Sequence, residues 1–100
     1  MATTSKALFR GAASTSSTTL YTVPASTTTV VTDVVVANTT STAGTFTLNL
    51  DGVAIASAAP IAANDTVVIS LKQVITAAKV IAGLASAATI NFHISGVEIN

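Results

Sequence analysis

One hundred residues suffice for one hydrophobic core but not for two, and half of them are hydrophobic although only Phe9, Tyr21, Phe46 and Phe92 are aromatic. Lys6, Arg10, Lys72 and Lys79 balance Asp33, Asp51, Asp65 and Glu98, so the near-zero formal charge supplies no field for steering nucleic acid or anionic lipid. The absence of cysteine excludes disulfides, thiolate catalysis and Cys-based metal centres.

Residues 1–5 are small and polar and are expected to form a free N-terminal arm before a domain spanning 6–100. Lys6 to Ala12 is a short candidate strand, and "ASTSSTT" after it is a polar connection. "TLYTV" ends at Pro24, which lacks a ladder donor and holds Val23 extended. In "TTTVVTDVVVAN" the valines at 30, 31, 34, 35 and 36 fall on both faces of a pleat. That strand is expected to be the most deeply buried, covered on both sides or lying at an oligomer contact.

"TFTLNLDGVAIAS" carries the clearest local signal. Phe46, Leu48 and Leu50 alternate with Thr47 and Asn49, and Asp51-Gly52 supplies the positive-φ pair of a type I′ hairpin turn. Pro60 and Asn64-Asp65 break the chain before a strand at Thr66 to Leu71. Val74, Ala77, Ala78 and Ile81 have near-helical spacing. Because Val, Ile and Thr lose rotamer freedom in a helix, a turn followed by a strand at Lys79 to Leu84 is the expected form. In the closing "TINFHISGVEIN", Ile90, Phe92 and Ile94 alternate with Asn91, His93 and Ser95. Gly96 is placed at a bulge, after which Val97 and Ile99 return to the core.

The fold class that follows is all-β: a single antiparallel β-sandwich, jelly-roll-like, of seven to nine short strands and no helix longer than two turns. Chemistry has little to work with. His93 is the only histidine and lacks a second His or any Cys to share a metal, so its expected place is a surface or an interface, where it could make assembly pH-sensitive. Asp51 and Asp65 have turn roles, while Asp33 on the Val-rich strand must find a cation among Lys6, Arg10, Lys72 and Lys79 or face water. No nucleophile elbow, calcium loop or phosphate-binding loop occurs, so no enzymatic activity, no cofactor and no metal are expected. Asn38 and Asn64 match the N-glycosylation acceptor and are discounted, because no secretory signal is recognised. No window approaches a membrane-spanning length, and no membrane role is expected.

Leu-Tyr-Thr-Val-Pro at 20–24, the Val-rich strand leading to Asn-Thr at 30–39, the strand ending in a Gly turn at 45–52, the Ile-x-x-Asn strand start at 61–66 and the closing His-Ile-Ser-Gly-Val-Glu-Ile at 93–99 stand out together. In these elements residues 7–99 resemble a family of small virion structural proteins of tailed bacteriophages. The resemblance implies a compact β-sandwich made in the host bacterial cytoplasm and placed in many copies on the virion. Its leading role is a capsid decoration, or cement, protein that bridges subunits on the outer head surface. The alternative is a tail, baseplate or fibre-attachment component.

The implied partners are the major capsid protein or other virion proteins, and further copies of the chain in a homotrimer or another symmetric homo-oligomer. Candidate interface residues are Val31, Val35, Tyr21, His93, Lys6 and Arg10. A carbohydrate-binding module is a third reading, weakened by the lack of Trp and the single Tyr21.

Overall fold

The computed structural model describes residues 2–100. Eight strands form: β1 (Thr3–Ala12), β2 (Thr18–Thr22), β3 (Thr28–Asn38), β4 (Gly44–Leu50), β5 (Val53–Ile61), β6 (Thr66–Ile75), β7 (Val80–Ala85) and β8 (Ile90–Ile99), with no helix among the described residues. They make two four-stranded antiparallel sheets, ordered β1-β8-β3-β6 and β2-β7-β4-β5. The fold is therefore all-β, two sheets packed face to face as a sandwich.

The core lies between the sheets and is aliphatic, as the composition requires. Phe92, Ile90, Ile94, Val31, Val34 and Val36 from one sheet meet Phe46, Leu48 and Ile81 from the other. Phe46 and Phe92 touch edge to face, with centroids 6.3 Å apart and planes at 72°, a pairing that adds about 1 kcal/mol to the burial of their area.

Bulges decide which residues reach this core. Val31 and Val34 are three apart, so a regular strand would send them to opposite faces. The register shifts between Val31 and Asp33, leaving Thr32 as an extra residue, and both valines point inward. The expected placement of valines on both faces is correct, with Val30 and Val35 on the outer one.

The hairpin at Asp51-Gly52 has the expected geometry, with φ of 53° and 75°. Ala78 at φ 70° turns the chain between β6 and β7, which confirms the turn and strand expected there over a helix. Asn38 is buried at the end of β3; its amide nitrogen donates to the Thr42 and Ala62 carbonyls at 2.9 and 3.2 Å, and its oxygen accepts from the Thr40 amide. That fully used side chain ties two connections together and leaves no room for a glycan.

Two expectations are corrected. The free arm at 1–5 is not observed from Thr3 onward, because Thr3, Thr4 and Ser5 pair with Ile99, Glu98 and Val97 as the first part of β1. Before it, the Asn100 amide donates to the Ala2 carbonyl at 2.9 Å, so the two ends of the chain lie side by side. Met1, the first residue of that expected arm, lies outside the described residues.

The bulge placed at Gly96 is also absent. β8 runs regularly through Gly96, and the extra residues belong to its neighbours, Leu8 in β1 and Thr32 in β3. Uninterrupted alternation then sends Val97 and Ile99 to the outer face and turns Glu98 inward, the reverse of the expectation.

Candidate functional site

The inward turn of Glu98 creates a polar cluster at one end of the sandwich. Tyr21, on β2 of the opposite sheet, donates its hydroxyl hydrogen bond to Glu98 Oε2. The Tyr21 oxygen also lies 2.9 Å from Thr29 Oγ1, in full burial on β3. Lys6 Nζ approaches Glu98 Oε2 at 3.4 Å from β1. Side chains of four strands, β1, β2, β3 and β8, thus meet in one cluster, in which Lys6 and Tyr21 reach the carboxylate and Thr29 reaches it through Tyr21.

Burial, and next the hydrogen bond to Glu98, push the Tyr21 phenol above its ordinary value of 10.0; the Thr29 contact opposes this and the Glu98 charge adds to it. A phenol held neutral in this way is a fixed donor, and proton transfer near neutral pH is not what the geometry favours. The cluster acts as a clamp between sheets.

The six candidate interface residues separate into three groups. Lys6 and Tyr21 belong to the clamp. Val31 is fully buried between the sheets, where no partner can reach it, so its candidacy as an interface residue is corrected: the Thr32 bulge turns it inward. Arg10, His93 and Val35 are brought together. They stand side by side on β1, β8 and β3, and Val68 of β6 extends the row. All four point away from the core, on the outer face of the β1-β8-β3-β6 sheet.

A second outer row, Val97, Val30 and Val74, runs parallel to the first. Val68 and Val74 are 62% and 61% exposed, which makes them two of the four large hydrophobic side chains that stand open to solvent among the described residues. Between the rows lies Asp33, exposed, paired laterally with Ser95 and Ser70. Of the two courses open to it, Asp33 faces water: Lys6 is held by Glu98, Lys79 pairs with Asp51 at 3.7 Å, and neither Arg10 nor Lys72 closes an ion pair with it. Lys72 stands across an open depression of about 630 Å³ that the opposed bulges of β3 and β6 create, lined by Thr32, Asp33, Ser70, Leu71, Lys72 and Gln73.

Glu98 and Thr29 are the residues that sequence reasoning missed. The signal was present, since period-two alternation from Ile90 carried on through Gly96 places Glu98 on the inner face with Phe92 and Ile94. No family model matches the chain, and no curated protein matches it.

Proposed function

We propose that the chain is a structural protein of a tailed-phage virion, bound in many copies to the outer head surface as a cement that bridges capsid subunits. The observation that carries this reading is the contrast between the edges and the faces of the sandwich. All four edge strands are irregular: β1 at Leu8, β2 at Leu20, β5 at two places and β6 at Leu71-Lys72, and β5 also holds Pro60. Bulges, lysines and proline blunt an edge against strand addition. Association through faces is what remains, and one outer face offers rows of valine with few charges.

The strand order supports the same reading. The pairings of β1 with β8, β2 with β7, β3 with β6 and β4 with β5 are those of one long antiparallel ribbon rolled onto itself, which we take as a jelly roll. Such a compact two-sheet body suits a clamp. It assembles as a symmetric homo-oligomer, and its partners are capsid or other virion proteins.

Adding the purified chain to heads that lack it is expected to raise the temperature at which they release DNA. Unchanged heat resistance would overturn the cement role. In the intact particle, a copy number comparable with that of the capsid protein is expected; a few copies per particle would move the chain to the tail, baseplate or fibre attachment.

A further inference from the structure

The outer face of the β1-β8-β3-β6 sheet carries its charges in a pattern that a face-to-face copy would satisfy. Arg10 starts the row Arg10, His93, Val35, Val68, and Asp33 lies in the next row, Ala7, Ser95, Asp33, Ser70. Two strands and one row separate them, about 12 Å by ordinary sheet spacings, and no ion pair joins them within the chain. A two-fold axis lying in the plane of the face and passing between His93 and Ser95 exchanges the two positions. Each Arg10 then meets the Asp33 of the other chain.

We propose that this face pairs with the same face of a second copy across that two-fold axis, with Arg10 of each chain against Asp33 of the other. The proposal rests on the reading of the chain as a self-assembling structural protein and specifies which surface does the assembling. An isologous contact requires a patch to be complementary to itself, and one cation set diagonally from one anion meets that requirement, whereas a foreign partner needs no such arrangement.

The area is modest. The axis that exchanges Arg10 and Asp33 crosses the strands of the two copies steeply, so of a face of about 600 Å² roughly 400 Å² overlaps on each side, a small contact in which the two charge pairs carry the specificity. The exposed Val68, with Val35 beside it, supplies the apolar content. Lys72 stays at the bulged margin of β6, across the depression from Asp33, where it adds positive charge to the rim without occupying the centre.

Charge exchange tests the pairing on the full-length chain. By sedimentation velocity and native mass spectrometry the wild type is expected to be an even-numbered assembly, a dimer at the least. Arg10→Asp and Asp33→Arg are each expected to weaken association roughly tenfold or more, and the double variant to recover most of the loss. Both side chains are exposed and unpaired in the chain, so melting curves by circular dichroism are expected to stay near wild type in all three variants. Val68→Asp, on the same face, should weaken association in the same way. A monomeric wild type, an odd-numbered assembly, or a double variant that associates no better than the weaker single variant would each overturn the proposal.

The head-stabilisation assay keeps the two readings apart. Dimers that exchange charge as expected but leave heads unprotected overturn the cement role alone. Heads protected equally by wild type and Asp33→Arg, with association unchanged, overturn the pairing alone.

Discussion

The Tyr21 hydroxyl donates to the Glu98 carboxylate across the gap between the two sheets, joining residues 77 positions apart in the chain. In the core the sheets meet through apolar side chains, so this contact helps to fix their relative position at the end where β1, β2, β3 and β8 converge. A hydrogen bond to a charged acceptor contributes about 1.5–3 kcal/mol, and removing the donor leaves Glu98 with Lys6 alone on the protein side. Tyr21→Phe is therefore expected to lower unfolding stability by about 1–3 kcal/mol, read as a shift in the denaturant midpoint at unchanged slope. In a double-mutant cycle with Glu98→Gln the two losses should fall short of additivity, because both variants damage one interaction.

The same contact sets an alkaline limit. Tyr21 is held protonated in the folded chain, whereas in the unfolded chain it ionises near its ordinary value of 10.0. A raised folded-state value means that the contribution is complete below pH 10 and is lost as pH climbs from there through the folded value. Tyr21 is the only tyrosine and there is no tryptophan, so phenolate absorbance reports this one group. The phenolate is expected to appear above pH 10, in step with loss of the β signal in circular dichroism. Tyr21→Phe should be less stable at neutral pH but lose less of its stability above pH 10. A phenolate forming at the ordinary value in a still-folded chain would contradict the burial of Tyr21.

Local signals made most of the architecture legible. Asp51-Gly52 announced its hairpin, Pro24 closed β2, and β-branched residues argued correctly against a helix before Ile81. Bulges were not legible, because an extra residue is selected by what lies across the ladder. Thr32 and Leu8 have nothing in their own neighbourhoods that marks them, whereas Gly96 does, and it attracted a bulge that belongs to the strands on either side. From that single misplacement Val97, Glu98 and Ile99 changed faces, and the clamp at Glu98 disappeared from view. Of the outer row, Val35, His93 and Arg10 were among the candidate interface residues, but their adjacency was not legible, because it is antiparallel pairing across three strands that sets them side by side.

Gly96 has a different job from the one its sequence context suggested. A methyl group built there would stand 2.5 Å from the Val30 carbonyl oxygen and 2.8 Å from Leu8 Cδ1. The backbone oxygen cannot move without disturbing the β3–β8 ladder, so Gly96→Ala is expected to cost at least about 2 kcal/mol. Gly52→Ala is the useful contrast. Its methyl would meet nothing within 4 Å, and the penalty there comes from φ of 75° alone, about 1 kcal/mol. Thermal melts of the two variants should therefore rank Gly96→Ala well below Gly52→Ala, and equal melts would mean that β8 can slide away from β3.

Val31 and Val35 are chemically identical, lie on one strand and face opposite worlds. Val31 has no exposed surface and sits among Leu8, Phe92 and their neighbours in the core, so a carboxylate in its place would be buried without a cation. Breaking polar balance in that way costs several kcal/mol, a large share of the stability of a domain of this size, and Val31→Asp is expected to yield little folded chain. Val35 points outward between His93 and Val68, where an aspartate can reach water. Val35→Asp is expected to remain folded, with stability lowered by about 1 kcal/mol through strand propensity, while losing self-association. Circular dichroism reports the first property and sedimentation velocity the second. If Val35→Asp both folds and associates like the wild type, the outer face of this sheet is not where copies meet, and the opposite sheet, with Thr45, Thr47 and Asn49 on its outer side, becomes the surface to probe.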